Sequence, residues 1–183
     1  MSKVILKNAR VSYANGIFTK KAMQEGAAEK YQCQIIIPKD HPQINEVKKA
    51  IEEAKKDKFK GKSDKALAKL KTPLRDGEEK EDLDDYEAVY ENTYWFNASS
   101  RNKPITVNRS REEITEEDNV IYSGCYCNFI LNFYGYDVSG NKGVAVGLNG
   151  VQFKGDGDPL GSSTRITDFD IEEDEFDEAK DLY

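Results

Sequence analysis

Apolar and polar residues alternate over long stretches of the chain, which is the pattern of β-strands with one buried face. The longest alternation begins at Tyr122 and sets two faces against each other: Cys125, Cys127, Phe129, Leu131 and Phe133 on one side, and Tyr126, Asn128, Ile130, Asn132 and Tyr134 on the other. The first face is predicted to lie in the core and the second to be amphipathic. A hairpin loop over 137–143 and a return strand over 144–153 are predicted to follow.

Shorter segments of the same kind predict further strands over 3–13, 30–37, 93–99 and 105–107. Between the second and third of these the period changes, because apolar residues recur at helical spacing from Ile44 to Ala54. Asp40 is predicted to cap this helix and Gly61 to end it. A short acidic helix or loop is predicted over 112–118, and an acidic surface excursion over 72–92. The chain is therefore predicted to be mainly β with one or two helices, built on a small closed barrel with α elaboration.

The composition of the chain changes sharply at its C-terminus. The last 17 residues hold nine acidic side chains against one lysine, and they contain too few apolar residues to fold alone. We therefore predict a folded domain over 1–166 and a disordered acidic tail over 167–183. The tail also carries spaced apolar residues, which favour a docking peptide, or an intramolecular DNA mimic that covers a basic groove, over a mere solubility element. Its candidate docking residues are Phe169, Phe176, Asp181, Leu182 and Tyr183.

The formal net charge of −7 hides a strong asymmetry along the chain. Residues 1–71 carry a net charge of about 9 positive units, whereas residues 72–166 and the tail each carry about 8 negative units. Without its tail the protein is close to neutral. An acidic total therefore does not exclude a nucleic-acid partner, since local patches decide such binding.

The sequence lacks the residue patterns that several classes of function require. His41 is the one histidine and is predicted to lie structurally in the first turn of the helix, which leaves no Ser-His or Cys-His pair with a supporting context. Neither a P-loop nor a dinucleotide fingerprint is present. The three cysteines do not make a zinc site and suit a reducing cytosol. We predict no catalytic residue, no metal and no cofactor, and no stretch long and apolar enough to span a membrane.

Aromatic residues supply the positive signal, because 11 of the 19 lie between Tyr86 and Tyr136. Sheets that bind single-stranded nucleic acid offer aromatic faces on which bases stack and cations that follow the backbone. The strand pattern predicts such a face, with Tyr31, Trp95, Tyr126 and Tyr134 as stacking residues. Asn97, Ser99 and Asn128 would line the groove, and Lys39, Arg101 and Lys103 would contact phosphates. The competing interpretation is that these tyrosines simply pack under loops with wet hydroxyl groups.

Four segments then suggest a family: LKNARVSYAN at 6–15, YQCQIIIPKD at 31–40, NASSR at 97–101 and GDGDPLG at 155–161. In this order, and with an acidic tail that ends in an aromatic residue, the chain resembles the single-stranded-DNA-binding proteins of tailed phages, a group long catalogued only as a domain of unknown function. The resemblance implies a five-stranded OB-fold barrel and sequence-tolerant binding of single-stranded DNA in replication, recombination or repair. It also implies a tail that contacts replication proteins, such as a polymerase, helicase or primase, and competes with DNA. The expected location is the host bacterial cytoplasm.

Two other function classes remain open at this point. A protein-interaction or virion accessory module would use the same barrel and tail without touching DNA. A metal-dependent nuclease would use Asp156, Asp158 and the acidic excursion, although the later ligands of a calcium loop are missing. A homodimer also stays open.

Overall fold

The strands and helices come from a computed structural model that describes residues 2–22, 24–80, 87–160 and 169–172. In chain order the strands are β1 (Ser2–Ser12), β2 (Lys21–Ala22), β3 (Glu29–Pro38), β4 (Arg75–Asp76), β5 (Thr93–Ser100), β6 (Ile105–Val107), β7 (Tyr126–Val138) and β8 (Asn141–Gly155). The helices are α1 (Ile44–Lys58), α2 (Asp64–Ala68) and α3 (Glu87–Tyr90). The prediction of a mainly β protein is confirmed, and α2 and α3 are helices that the sequence pattern did not predict.

Five of these strands pair into a closed ring. β1 pairs with β3 and β7, β3 pairs with β5, and β7 pairs with β8, all antiparallel. A single parallel contact between Ser99 of β5 and Gly147 of β8 closes the ring. Counted along the chain, the third and fifth ring strands are the parallel pair, which is the strand order of an OB-type fold. The short strands β2, β4 and β6 extend the ring at its edges.

The core fills the inside of this ring and confirms the predicted inward face of β7. Cys127, Phe129, Leu131 and Phe133 are fully buried, and Phe96 of β5 packs against Phe133 with ring centroids 6.3 Å apart. Burying one such phenylalanine stabilises the fold by about 1.5–3 kcal/mol. Since these side chains belong to different strands, the core also fixes which residues face outwards.

Helix α1 packs against β1 and β7 and contributes its apolar face to the same core. Its close approach depends on Gly135 of β7, where an added Cβ would lie 2.4 Å from the Cβ of Lys58. The predicted cap is wrong, because Gln43 occupies the N-cap position and Asp40 makes no cap. Instead the backbone N–H of Gln43 donates to Nδ1 of His41, whose Nε2 lies 2.8 Å from the carbonyl oxygen of Lys7. His41 is thus a structural residue as predicted, but it lies in the turn before α1 and not in the first turn of the helix.

The β7–β8 hairpin is longer than its sequence predicts. Pairing continues to Val138 and Asn141, so the loop is Ser139-Gly140 and not 137–143. Both loop residues have positive φ, 52° for Ser139 and 81° for Gly140, which suits the twist of a two-residue hairpin turn. At the other end β7 starts at Tyr126, because Tyr122–Cys125 form a turn instead of strand.

None of the helices among the described residues is long and apolar enough to cross a bilayer.

Candidate nucleic-acid interface

Trp95, Asn97 and Ser99 of β5 point away from the core, because Phe96 and Ala98 between them are buried inside the ring. Their neighbours on β3 are Ile36, Gln34 and Gln32, which stand opposite them in register. Arg101 follows directly after the strand. We call this outward surface, from Trp95 to Arg101, the β5 track; it is about 20 Å long at strand spacing.

A cavity of about 350 Å³ lies at the Trp95 end of the β5 track. Its lining combines flat rings, amides and cations, among them Tyr13, Lys21, Gln32, Lys80, Trp95 and Asn97. Tyr13 is 63% exposed and adopts a left-handed backbone with φ of 55°, which turns the chain out of β1. An exposed ring, a groove floor of amides and two lysines at one mouth make a surface suited to bases and phosphates.

Two cations already lie over the ring of Trp95. Nζ of Lys80 is 4.4 Å from the ring centroid and Cζ of Arg75 is 5.3 Å from it, while Tyr90 meets the ring edge-on at 6.5 Å. The indole Nε1 is buried and has no hydrogen-bond partner among the residues that the structure describes. A buried donor without a partner carries a penalty of about 1–3 kcal/mol. This end of the track is therefore rich in positive charge.

The segment predicted as a surface excursion packs partly against this face. Tyr90 is buried, its hydroxyl donates to Oε1 of Gln34, and Thr93 donates to its carbonyl oxygen. Burial raises the pKa of Tyr90 to about 12, so the phenol stays protonated at neutral pH. Because this segment packs against the outward face of β3, Ile36 and Gln34 are only 3% and 4% exposed although they lie outside the ring.

A second groove, of about 340 Å³, lies at the Arg101 end of the track. Lys30, Ser99, Ser100, Arg101, Tyr134 and Gly147 line it. Gly147 leaves the ring of Tyr134 accessible, because β8 has no side chain between Ser99 and β7 at this position. The two grooves lie at opposite ends of one row of outward β5 residues, so they form a single path.

The structure thus brings together five of the predicted residues: Trp95, Asn97, Ser99, Arg101 and Tyr134. Lys103 lies exposed in the loop just beyond Arg101. Tyr31 is half-buried on the opposite side of its strand from Gln32 and has Lys20 over its ring at 5.5 Å. Its role as a stacking residue stays a prediction.

Lys39 is held away from the track by two carboxylates. Its Nζ lies 3.0 Å from Oδ2 of Asp76 and also contacts Glu78, and these hydrogen bonds, that of Glu78 first, raise the pKa of Lys39 above its usual range. A cation already paired with two anions has little net charge to offer a phosphate. The structure therefore does not support Lys39 as a member of the same site.

Tyr126 and Asn128 lie on the same face of β7 as Tyr134, but at a different place along the strand. Tyr126 lies eight positions, roughly 27 Å, from Tyr134 and has Arg10 over its ring at 5.8 Å. Asn128 donates to Gln152 at 3.1 Å and accepts from the backbone of Asn8 at 3.0 Å. Tyr126 thus lies beside Arg10 of β1 and Asn128 lies between β1 and β8, and neither residue lines the two grooves of the β5 track.

Sequence reasoning missed Tyr13, Lys21, Arg75, Lys80 and Tyr90. Tyr13 carried a signal, since it is an aromatic residue directly before the Asn15-Gly16 turn. Tyr90 lies only three residues before β5, whereas Lys21, Arg75 and Lys80 are farther along the chain and are brought to it by the fold. Of the predicted tail residues, Phe169 is 73% exposed, while Phe176, Asp181, Leu182 and Tyr183 lie outside the described residues.

One of the two carboxylates considered for a metal has another partner, because Oδ1 of Asp156 accepts from the hydroxyl of Tyr122 at 2.7 Å. At Asp158 it is the backbone carbonyl oxygen, and not the carboxylate, that accepts from Arg10. Within the described ranges no group of three or more His, Cys, Asp or Glu residues is arranged to hold a metal ion.

Comparison with known proteins gives one coherent set of relatives. The profile of a family described as the single-stranded-DNA-binding protein of Enterobacter phage Enc34 matches residues 2–181. Protein p50 of Acyrthosiphon pisum secondary endosymbiont phage 1 is 33% identical over 177 residues, which is 92% of each chain. Among solved structures, the Enc34 protein in complex with single-stranded DNA superposes with a TM-score of 0.71 at 22% identity, over 87% of this chain and 89% of that one. The single-stranded-DNA-binding protein gp2.5 of bacteriophage T7 has a TM-score of 0.52 at 13% identity, over 90% and 98% of the two chains.

Proposed function

Because the chain belongs to the family of the Enterobacter phage Enc34 single-stranded-DNA-binding protein, we propose that it binds single-stranded DNA along the β5 track. The observation that carries this proposal is the continuous row of Trp95, Asn97, Ser99 and Arg101 on one outward strand face, with cations at both ends. The binding is sequence-tolerant, since aromatic faces and phosphate contacts read no particular base. Such a protein coats and protects single strands in phage replication, recombination or repair.

A base can stack on Trp95 only if it displaces a cation from the face of the ring. A cation over an aromatic ring is worth about 0.5–1 kcal/mol at an exposed site and about 2 kcal/mol when desolvated, and the ring of Trp95 is half-buried. A base stacked on an aromatic ring is worth about 1–3 kcal/mol. The two free energies are of the same order, so a base can replace Lys80 on the ring of Trp95, and the released ammonium is then free for the adjacent phosphate.

The remaining track residues have distinct tasks. Asn97 is exposed and presents an amide to base edges, and Ser99 adds a hydroxyl group in the middle of the path. Tyr134 provides the second stacking surface. Arg101 and Lys30 at one end, with Lys21 and Lys80 at the other, hold the phosphates on either side of the stacked bases.

The tail has a separate task in this proposal. Residues 1–166 form the DNA-binding domain, and residues 167–183 compete with DNA for its cations and contact replication proteins such as a polymerase, helicase or primase. The protein acts without catalysis of its own, in the cytoplasm of the host bacterium. Dense negative charge with interspersed apolar residues supports both tail tasks.

A filter-binding titration tests the function directly. Single- and double-stranded oligonucleotides of the same sequence are titrated with the full chain, with and without magnesium. We expect retention of single strands at much lower protein concentration than duplex, and no loss of substrate with magnesium. Absence of retention would favour a protein-interaction or virion accessory module, and magnesium-dependent loss of substrate would favour a nuclease.

Arg101→Ala is expected to weaken binding severalfold and to reduce the steepness of its salt dependence. One phosphate contact to a single strand contributes a slope of about −0.7 in a plot of log affinity against log salt concentration. The slope should therefore become shallower by about 0.7. Fluorescence anisotropy of labelled oligo-dT over a salt series measures it.

Lys49→Ala is the matched control, because Lys49 is a helix α1 lysine whose side chain is 78% exposed and only 3.9 Å from Glu53. It should leave the slope unchanged. Equal slopes for Arg101→Ala and the wild-type chain would remove Arg101 from the phosphate contacts.

A further inference from the structure

A second outward surface of the ring is apolar and unused by the β5 track. Ile5 of β1, Ile130 of β7, Gly150 of β8 and Ile105 of β6 stand in one row across four neighbouring strands. The three isoleucines are 47%, 37% and 68% exposed, in the order Ile5, Ile130 and Ile105. Together they line a groove of about 200 Å³, which we call the isoleucine groove.

Gly150 gives this groove its depth. A Cβ at that position would lie 3.2 Å from Cδ1 of Ile130, so the missing side chain leaves a hollow between the isoleucines. Exposed apolar residues scattered singly need no explanation, but a hollow lined by three isoleucines indicates a binding surface.

The rim of the isoleucine groove carries charges of both signs, with basic residues in excess. Glu113 stands opposite Val107 of the lining. Glu46 accepts from Gln43, which also donates to the carbonyl oxygen of Ile5. Arg111 is the charged residue among the described residues that line it. Lys3 and Lys7 flank Ile5 on β1 and are both exposed. A partner that fits must therefore carry apolar side chains together with negative charge.

The tail of this chain has that composition. Phe169, Ile171, Phe176, Leu182 and Tyr183 are spaced among nine acidic residues. In the described part of the tail, Phe169 and Ile171 are 73% and 97% exposed, so these apolar side chains have little cover. A second copy of the groove is a poorer occupant, because two rims with basic residues in excess would face each other.

The tail is also long enough to reach the groove. The backbone N–H of Leu160 donates to the carbonyl oxygen of Ser123 at 2.8 Å, which fixes the start of the connection three residues before β7. From Ser123 to Ile130 is at most about 25 Å along the chain, and nine residues from Leu160 to Phe169 span up to about 30 Å. The segment from 173 onwards adds further reach.

We propose that the isoleucine groove is the seat of the C-terminal segment 169–183 of the same chain. The apolar side chains of the segment fill the hollow at Gly150, and its carboxylates face Arg111, Lys3 and Lys7. Along β8, Ser99 and Ile105 pair only three residues apart, at Gly147 and Gly150, which is about 10 Å. The seated tail therefore lies beside the Arg101 end of the β5 track, and this last step rests on the proposed DNA-binding function.

Paramagnetic relaxation enhancement, measured on the full chain without DNA, tests whether the tail occupies the isoleucine groove. Cys33, Cys125 and Cys127 are buried to within 2% exposure, so a nitroxide label attaches selectively to an Ala179→Cys variant. We expect the label to broaden the methyl signals of Ile5, Ile105 and Ile130 most strongly. Ile17 lies in the turn after Tyr13, which lines the Trp95 cavity and not the isoleucine groove, and should keep its signal.

Two further substitutions make the result specific. Ile130→Glu should abolish the broadening, whereas Val138→Glu, which alters another exposed apolar residue of the same strand, should preserve it. Broadening centred on Ile17 would place the tail at the Trp95 cavity and overturn the proposal. Broadening that grows with protein concentration would assign the tail to another copy and overturn the intramolecular seat.

A final addition of oligo-dT separates this inference from the proposed function. Recovery of the three isoleucine signals supports exclusion of the tail by bound DNA. Broadening that persists while DNA is bound would show that the tail still occupies the groove, and would overturn the inference that bound DNA displaces it. If the chain binds no DNA at all, the proposed function fails while the seat is still measured.

Discussion

Replacing Trp95 and Tyr134 together by alanine is expected to weaken binding of oligo-dT by a factor on the order of 10² to 10⁴. Each stacked base contributes about 1–3 kcal/mol, and distant sites add nearly independently. The two rings lie at opposite ends of the β5 track and have no partner in common among their described contacts. Fluorescence anisotropy of a labelled oligonucleotide measures the affinities of the double and single variants.

Trp95 also reports on its own position, because it is the only tryptophan in the chain. Stacking of a base in place of Lys80 should quench the tryptophan fluorescence of the wild-type protein during the titration. Trp95→Phe keeps a flat ring and should retain most of the affinity, which separates stacking from the support that this side chain gives to Tyr90. Circular dichroism of each variant checks that the fold is intact.

Tyr126→Ala is the matched control, since Tyr126 has the same strand face as Tyr134 but lies beside Arg10 of β1 and lines neither groove of the β5 track. We expect a much smaller loss of affinity from it. A loss as large as that of the double variant would extend the binding surface to Tyr126, as the sequence pattern alone predicted. Unchanged affinity of the Trp95 and Tyr134 double variant would show that the β5 track is not the DNA path.

Local patterns predicted the faces of strands well, for a physical reason. Burial on a strand repeats every two residues, so Phe129 and Phe133 could be assigned to the core from their spacing alone. The same parity predicted the outward row of Trp95, Asn97 and Ser99. Turn positions were less predictable, because 137–143 holds several turn-forming residues and the positive φ of Ser139 and Gly140 selects one pair among them.

Position around the ring could not be predicted from one strand. Tyr126 and Tyr134 have the same parity, yet the strand is long enough and the ring curved enough to put them on different surfaces. Contacts between distant segments were equally hidden. Lys39 finds Asp76 and Glu78 nearly 40 residues away, and Lys80 reaches Trp95 through the packing of the acidic excursion. Residue types indicated the chemistry of the site, but only the pairing of the strands showed which residues belong to it.

Removing residues 167–183 is expected to strengthen binding of single-stranded DNA by about tenfold at low salt. The tail carries nine acidic residues and one lysine, so we expect it to compete with phosphates for the cations of the track. The gain should shrink as salt concentration rises, because salt screens the competition of the tail together with the binding of DNA. Anisotropy titrations of the full and shortened chains over a salt series measure both effects.

Two length-matched variants separate the charge of the tail from its apolar residues. Replacing its acidic residues by Asn and Gln should reproduce the gain from truncation, whereas Phe176→Ser with Leu182→Ser keeps the charge. If the isoleucine groove holds the tail, the serine variant should also gain affinity, since the carboxylates are then no longer held beside Arg101. A gain only in the Asn and Gln variant would mean that charge acts without a seat. Equal affinities of the full and shortened chains at low salt would leave the tail as a partner-docking or solubility segment that does not compete with DNA.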